Sequence, residues 1–288
     1  MAEPFQLPIV RTVPELRARV RAWRAGGERV GLVPTMGALH NGHLSLVRRA
    51  KESAGRVVAS LFVNPTQFAP QEDFEAYPRE EGRDRELLAS VGCDLLYAPT
   101  VDVMYPQGFS TTVTVSGVAT ELEGAIRPTH FAGVATVVSK LLIQAEADVA
   151  VFGEKDFQQL LVIRRLARDL DIPTEIVGAA TVREEDGLAL SSRNAYLSKD
   201  ERVLAGRLNG VLAGMAGELA DGRPVAAAED AAHKALEAVG IPSIDYIEAR
   251  DADDLHRLGP GPLGPGPARV LAAIRIGRTR LIDNMMVG

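Results

Sequence analysis

The sequence predicts an α/β protein with a doubly wound parallel sheet, followed by a second, smaller α+β domain. Up to about residue 181, apolar β-branched runs alternate with helical segments, a pattern typical of parallel sheets covered by helices. Beyond that point, Ala-rich helices precede three further apolar runs. We therefore expect one domain at residues 1–181 and another at residues 182–288.

The strands of the first domain are predicted from continuous apolar runs, which are typical of strands buried on both faces. They are expected at residues 29–33, 56–63, 94–99, 148–152 and 174–177. Helices are expected at residues 14–23, 42–53, 79–91, 131–145 and 157–169. Apolar residues recur at helical spacing in the first and the fourth of these, whereas the third is charged. Residues 111–115 alternate threonine and valine and predict a half-exposed strand at an edge or interface. Residues 121–129 are expected to form a loop.

The second domain is predicted to contain two helices between residues 200 and 239, divided by an Asp-Gly-Arg-Pro turn at residues 221–224. Strands are expected at residues 244–249, 269–276 and 280–284. The Gly- and Pro-rich residues 259–267 are expected to be a loop.

Composition restricts the class of protein. A net charge of −6 over 288 residues argues against a surface that coats nucleic acid. A single cysteine, Cys93, permits no intrachain disulfide, and we interpret it as a small buried residue. No run approaches the ~20 apolar residues of a membrane span, and residues 1–6 lack the features of a signal peptide. We expect a cytoplasmic protein without a membrane or nucleic-acid partner.

The strongest chemical signal is the segment Pro-Thr-Met-Gly-Ala-Leu-His-Asn-Gly-His at residues 34–43. It joins a predicted strand to a predicted helix, the geometry in which helix N-termini bind phosphate groups. His40 and His43 are three residues apart, so we expect them on one face of the helix start. Taken alone, the pair is compatible with metal ligands, structural histidines or donors to a phosphate.

Two further polar clusters follow predicted strands, at residues 64–67 and 153–156. Open α/β sheets bind ligands outside the carboxyl ends of their strands, so we expect these clusters and the histidine segment at one site. Lys155, together with Ser191–Arg193 in the second domain, offers cations and hydroxyl groups for a triphosphate. The P-loop and dinucleotide signatures are missing from the sequence.

Neutral amides in these clusters suit the hydroxyl and carboxylate groups of an organic substrate. Gln67, Gln158 and Gln159 are the candidates, although for Gln158 we favour the alternative that it faces solvent on its helix. Tyr77 and Arg127 lie in irregular segments and are candidates to line a pocket. The equal alternative is core packing for Tyr77 and a solvated surface charge for Arg127.

Five motifs together resemble the pantothenate synthetase family. They occur in order at residues 33–43, 62–68, 127–133, 152–160 and 191–194, over essentially the whole chain. The His-Asn-Gly-His element alone would indicate only the wider superfamily of nucleotidylyltransferases and class I aminoacyl-tRNA synthetases. Leu190 and Phe157 stand where many family members have methionine and tyrosine, and neither departure removes a polar group needed for chemistry.

The resemblance implies a Rossmann-type N-terminal domain, a C-terminal lid and a homodimer. It also implies the ATP-dependent condensation of (R)-pantoate with β-alanine to pantothenate, AMP and diphosphate, through a pantoyl adenylate. Two alternatives remain: a nucleotidyltransferase that leaves the nucleotide on its product, and a catalytically silent nucleotide-binding module. Retention of Lys155 and Ser191–Arg193 disfavours the silent module.

The resemblance assigns the site residue by residue. Catalysis falls to His40, His43, Lys155 and Arg193. The residues implied in ATP binding are Pro34, Thr35, Met36, His40, Gly42, His43, Gly153, Lys155, Asp156, Val182, Leu190, Ser191, Ser192 and Arg193. The residues expected to bind pantoate or β-alanine are Gln67, Gln159, Asn64, Tyr77 and Arg127. Mg²⁺ is expected mainly on the ATP phosphates, with Asp84 as the nearest protein ligand.

Overall fold

The computed structural model describes residues 6–68 and 74–288, and the chain divides into two compact units. Unit 1 contains the described residues up to Glu154 together with Gln159–Ala180. Unit 2 contains Lys155–Gln158 and Thr181–Gly288. The segment Lys155–Gln158, which we placed in the first domain, therefore groups with the second. Residues 1–5 of the segment tested for a signal peptide lie outside the described residues.

Unit 1 is built on a six-stranded sheet in which every pair of neighbouring strands is parallel. The strand order is β1-β4-β3-β2-β5-β6, which confirms the doubly wound sheet. The strands are β1 (Ile9–Val10), β2 (Val30–Thr35), β3 (Arg56–Leu61), β4 (Leu95–Tyr97), β5 (Val149–Gly153) and β6 (Glu175–Ala179). The helices are α1 (Val13–Ala25), α2 (Asn41–Lys51), α3 (Glu81–Ser90), α4 (Val101–Met104), α5 (Glu123–Ile126), α6 (His130–Ala145) and α7 (Phe157–Asp169), which begins within the segment that groups with unit 2.

The strand order places a topological switch point between β2 and β5. From β2 the chain continues through β3 to β4 on one side, and it returns to β5 on the other side. β2 pairs with β5 at Gly31↔Val149 and Leu32↔Ala150. Ligands of open α/β sheets bind where neighbouring connections diverge in this way. The first residues after β2 are those of the histidine segment, so the topology supports the predicted location of the site.

The core of unit 1 explains why these strands read as apolar runs. Val33, Val57 and Val149 are fully buried in one apolar cluster, where the side chains of α2 also pack. Sheets of parallel strands are covered on both faces, so their strands lack polar alternation. The sequence pattern and the observed burial therefore agree.

Unit 2 is an α+β domain, as predicted. Its antiparallel sheet has the order β7-β8-β9, formed by β7 (Ser243–Asp251), β8 (Ala268–Ile276) and β9 (Thr279–Val287). The helices are α8 (Lys199–Ala205), α9 (Arg207–Ala220) and α10 (Val225–Ala238). Leu212 of α9, Leu236 of α10 and Val270 of β8 are fully buried in a shared core. The domain thus has an apolar cluster of its own.

Several predictions of local structure were wrong. Residues 111–115 form no strand; the amide of Val113 instead donates to Oγ1 of Thr136 on α6, at 3.0 Å. The predicted loop at residues 121–129 contains the short helix α5. Residues 200–239 contain portions of three helices rather than two, because the chain breaks at Gly206 as well as at the predicted turn. The two-residue strand β1 was not predicted.

Cys93 is a buried residue, as expected. Its side chain is 1% exposed, and Sγ lies 3.4 Å from the carbonyl oxygen of Val57. Burial raises the pKa of the thiol to about 11, which disfavours the reactive thiolate. In the part of the chain that the structure describes, no helix is both long and apolar enough to cross a membrane.

Candidate active site

The histidine segment turns from the end of β2 into the start of α2. His40 is the N-cap residue of α2, and its Nδ1 accepts a hydrogen bond from the amide of Gly42 at 3.2 Å. Nδ1 of His43 accepts one from the amide of His40 at 3.4 Å. The ring centroids are 4.2 Å apart. The predicted placement of both histidines on one face of the helix start is therefore confirmed.

We assign the tautomer of each ring from these two hydrogen bonds. Nδ1 of a neutral imidazole accepts a hydrogen bond only when the proton is on Nε2. Both histidines consequently have an Nε2–H group, which is a donor, and this nitrogen has no lone pair for a metal ion. The geometry favours donors to a phosphate over metal ligands, two of the interpretations that the sequence left open.

The turn before the histidines is held by Asp84 of α3. Its Oδ2 accepts a hydrogen bond from the amide of Ala38 at 3.0 Å, and its Oδ1 accepts one from the amide of Leu39 at 2.9 Å. Asp84 as a whole is 1% exposed. Burial raises the pKa of Asp84, while the two backbone donors oppose the increase. Magnesium retains several water ligands in proteins, so this buried, doubly hydrogen-bonded carboxylate is a poor fit to the predicted metal ligand.

Asn64 organises the turn that follows β3. The side chain is fully buried and caps the short 3-10 helix Pro65–Gln67. Its Nδ2 donates to Oε1 of Gln67 and to the carbonyl oxygen of Gly133, both at 3.2 Å. Its Oδ1 accepts from the hydroxyl of Tyr105 at 2.8 Å. Since both ends of the amide bind the protein, Asn64 shapes this turn.

Gln67 is where several predicted residues come together. Its Nε2 lies 2.8 Å from Sδ of Met36 in the histidine segment. Its backbone oxygen accepts hydrogen bonds from Nη2 of Arg127 at 3.3 Å and from Nδ1 of His130 at 2.9 Å. Met36, Gln67 and Arg127 therefore share one region of unit 1, as predicted. His130, which we had not assigned, belongs to it as well.

The remaining candidates of unit 1 differ in their environments. Tyr77 is 5% exposed and packs edge-on against Phe68, with ring centroids 5.9 Å apart, which favours the packing interpretation. Thr35 is buried, and its hydroxyl donates to the carbonyl oxygen of Ser60 at 2.7 Å. Gly153 ends β5 and pairs with Ala179. Gly153 is half-buried, as are Pro34, Gly42 and Gln159.

Lys155 lies in the segment that groups with unit 2. Its side chain is 19% exposed, and Nζ is 3.8 Å from a carboxylate oxygen of Asp156. The backbone oxygen of Lys155 accepts a hydrogen bond from Nδ2 of Asn284 on β9, at 2.8 Å. Nη1 of Arg269 on β8 donates to Oδ1 of the same asparagine. The C-terminal sheet thus fixes the backbone of the predicted catalytic lysine.

Two residues that follow Lys155 in the sequence, Phe157 and Gln158, also belong to unit 2. The guanidinium group of Arg269 lies 3.8 Å from the ring centroid of Phe157. This cation–π contact needs only an aromatic face, so it is available to phenylalanine as well as to the tyrosine of many family members. Gln158 is 4% exposed, so the prediction that it faces solvent was wrong. Lys155–Gln158 belongs to the compact unit of the C-terminal sheet, and Gln158 is buried there rather than exposed on its helix.

The other predicted residues of unit 2 lie on one hairpin. The amide of Leu190 donates to the backbone oxygen of Val182 at 3.0 Å, and Arg183 and Ala189 form an antiparallel β-bridge through their backbones. The side chain of Ser191 caps the 3-10 helix Ser192–Tyr196 by accepting from the amide of Arg193 at 3.3 Å. These contacts bring the predicted residues from Val182 to Arg193 into one local structure.

A buried ion pair joins this hairpin to β9. Arg183 donates from Nη1 and Nη2 to the two carboxylate oxygens of Asp283, at 2.6 and 2.9 Å. The Asp283 side chain is 2% exposed. Such a bidentate ion pair fixes the relative orientation of the guanidinium and carboxylate groups. The strand that holds the backbone of Lys155 therefore also holds the hairpin that carries Ser191–Arg193.

The fold and these local structures define an α/β protein of the class that binds phosphate groups at a helix N-terminus. Its imidazole donors lie at the start of α2, beside the topological switch point of the sheet. Residues 8–286 match the sequence model of the Pantoate-beta-alanine ligase family. The chain belongs to this family.

Individual relatives support the same assignment over nearly the full length. A pantothenate synthetase of Caulobacter vibrioides is 63% identical over 280 residues, which cover 97% of this chain and 98% of the relative. A crystal structure of pantothenate synthetase from Thermus thermophilus has a TM-score of 0.91 at 50% identity and covers 98% of this chain and 99% of its own. A Francisella tularensis pantoate-beta-alanine ligase, solved with beta-gamma ATP and beta-alanine, has a TM-score of 0.81 at 32% identity and covers 97% of each chain.

Proposed function

We propose that this ligase joins pantoate to β-alanine in two steps, with Mg-ATP as co-substrate. In the first step, the pantoate carboxylate attacks the α-phosphorus of ATP and expels diphosphate, which gives a pantoyl adenylate. In the second, the neutral amine of β-alanine attacks the acyl carbonyl and expels AMP, and the nitrogen loses a proton to give pantothenate. A carboxylate is already ionised, so the first step needs positioning and charge stabilisation rather than a general base.

The observation that carries this proposal is the arrangement of His40 and His43. Each ring accepts a backbone hydrogen bond at Nδ1, so each provides an Nε2–H group at the start of α2. Donors that are already oriented stabilise the negative charge that develops on the transferring and leaving phosphates. The partial positive charge of the helix N-terminus acts in the same sense.

We assign the phosphates of ATP to Lys155, Ser191, Ser192 and Arg193 as well. Lysine supplies a compact charge and arginine a planar fork of donors, both suited to phosphate oxygens. Gly42 and Asp156 are proposed to contact the ribose. The remaining residues of the ATP set contribute the backbone around the nucleotide, and they are Pro34, Thr35, Met36, Gly153, Val182 and Leu190.

For pantoate we propose Gln67 and Gln159 as direct ligands, because amides can both donate to a carboxylate and accept from a hydroxyl group. Asn64 and Arg127 support this site through Gln67, since both form hydrogen bonds with that residue. Tyr77 contributes packing. The alternative of a free side chain at Asn64 is disfavoured because its amide is fully buried.

Magnesium is proposed to enter on the phosphates of ATP, where it usually retains several waters in phosphoryl-transfer sites. It supplies charge neutralisation to the triphosphate. Titration with EDTA should therefore abolish turnover, and excess Mg²⁺ should restore it. Thermal unfolding of the protein without nucleotide should be unaffected by EDTA, because we assign the metal to the phosphates of ATP.

The adenylate is tested by pantoate-dependent exchange of labelled diphosphate into ATP without β-alanine. Exchange should occur in the absence of β-alanine, and AMP should be released free when β-alanine is added. His43→Ala should lower the exchange rate roughly 10²-fold or more, the scale of losing one such donor. His233→Ala is the matched control, since His233 lies on the exposed surface of α10. No exchange in an enzyme that makes pantothenate would rule out the adenylate.

The homodimer, the cytoplasmic location and the movement of unit 2 as a lid remain predictions. Analytical ultracentrifugation at micromolar concentration tests the first of them. A sedimentation coefficient that corresponds to a chain of 30.8 kDa would contradict it.

A further inference from the structure

We propose that Asp84 is a positioning residue, which holds the turn at residues 37–39 and thereby orients His40 for adenylation. The proposal rests on the function proposed above and concerns a residue that acts through its neighbours. It replaces the role of Asp84 as a magnesium ligand.

The contacts are directed at the two residues that precede His40. Each carboxylate oxygen of Asp84 accepts one backbone hydrogen bond, from Ala38 at 3.0 Å and from Leu39 at 2.9 Å. Hydrogen bonds to an ionised group are stronger than those between neutral groups. A displaced Asp84 would therefore release two consecutive peptide groups immediately before the N-cap residue of α2.

The turn needs an external support because its backbone is strained. Ala38 has a φ of +52°, in the left-handed region that costs a residue with a side chain about 1–2 kcal/mol. Gly37 has a φ of +89°. The contacts of Asp84 with Ala38 and Leu39 offset this cost, so the turn keeps a conformation that its own residues do not favour.

Close packing explains why an acidic residue and a glycine occur together. A Cβ atom on Gly37 would lie 3.0 Å from Oδ2 of Asp84, which is closer than ordinary van der Waals contact. The glycine thus leaves room for the carboxylate beneath the turn. Asp84 as a whole is 1% exposed, so a hydrated metal ion has little access to it, whereas the backbone donors are already in place.

The test is a double-mutant cycle with Asp84→Asn and His40→Ala, measured by diphosphate exchange at saturating ATP and pantoate. The amide of asparagine accepts at one end only and presents N–H groups to a backbone donor at the other. In the wild-type background we expect a loss of roughly 10- to 100-fold in exchange rate, the scale of a lost hydrogen bond to a charged group. In the His40→Ala background we expect a further loss of less than about threefold, because coupled residues are not additive.

Three controls make the result specific. Glu80→Gln removes the same charge from an exposed position just before α3 and should leave the rate unchanged. Asp84→Glu retains the carboxylate and should recover part of the rate; it also takes the place of Asp84→Asn in the cycle if that variant does not fold. The Mg²⁺ concentration for half-maximal rate should be the same in wild type and Asp84→Asn.

Each contrary outcome has a distinct meaning. An equal loss in both backgrounds would overturn a role through His40, and an increased Mg²⁺ requirement would restore the metal-ligand interpretation. Wild-type exchange by Asp84→Asn would overturn the proposal outright. Wild-type exchange by His40→Ala would instead overturn the proposed function of the histidines, so the two failures can be told apart.

Discussion

Gly133 provides the sharpest test of how the fold positions Gln67, the proposed pantoate ligand. This glycine lies in the first part of α6, where the helix packs against the turn that follows β3. A Cβ atom at this position would overlap the carbonyl group of Thr66 and the amide nitrogen of Gln67. These are backbone atoms, which cannot rotate away, so Gly133→Ala must displace either the helix or the turn.

The expected magnitude follows from two opposing terms. Adding a methyl group to a filled site costs roughly 1–3 kcal/mol, whereas replacing glycine by alanine within a helix is favourable by about 1 kcal/mol at an unhindered position. We expect net destabilisation, and each kcal/mol lowers Tm by about 2–4 °C in a domain of this size. Displacement of Gln67 should also raise KM for pantoate, by up to roughly 10-fold for one lost hydrogen bond.

The assay combines calorimetric unfolding with a pantoate titration at saturating ATP. Gly214→Ala in α9 is the matched control, because its added Cβ has no atom within 4 Å apart from its chain neighbours and the backbone of its own helix. The control should raise Tm slightly and leave KM for pantoate unchanged. If Gly133→Ala keeps both the Tm and the KM of the wild type, then close packing of α6 on this turn does not position Gln67.

The remaining predictions concern the support of Lys155 and the buried thiol. Asn284→Ala should lower the rate of diphosphate exchange, because it removes the donor to the backbone oxygen of Lys155. The control is Met286→Ala, since Met286 lies on the same strand and is 44% exposed, and it should leave the rate unchanged. Equal rates in the two variants would refute the idea that Asn284 supports Lys155. At pH 8, iodoacetamide should modify Cys93 only after unfolding in urea, and rapid modification of the folded enzyme would contradict its burial. Since the pKa of Cys93 is raised from 9.0 to about 11, its contribution to stability is present below pH 9 and lost towards pH 11. The free energy of unfolding measured with urea should therefore fall more between pH 8 and 10 for wild type than for Cys93→Ala.

The fold was predictable to the extent that local pattern decides it. Parallel strands buried on both faces read as continuous apolar runs, so five of the six strands in the first sheet were found. β1 has two residues, too few to form a pattern. Residues 111–115 have the composition of a strand, but β propensity depends on a neighbouring strand, and Val113 is bound to a threonine of α6 instead.

The candidate site was predictable where its residues follow strand ends. This rule predicted that the histidine segment, Asn64 and Gln67 share one edge of the sheet, and Gln67 does contact Met36 of that segment. The contacts of Asp84 were not predicted, since they join it to a turn 45 and 46 residues away. The support of Lys155 by Asn284 spans 129 residues. Such contacts between polar groups leave no periodic trace in the sequence.

The grouping of Lys155–Gln158 with unit 2 has a consequence for the covalent architecture of the enzyme. The polypeptide passes from one unit to the other three times, after Glu154, after Gln158 and after Ala180. Neither unit is a continuous piece of chain, so no single cut separates them cleanly. A fragment that ends at residue 181 would keep the lysine but lose the asparagine that holds its backbone. Gene fission or domain exchange at the apparent boundary would therefore divide a structural unit, although the sequence there resembles a simple junction.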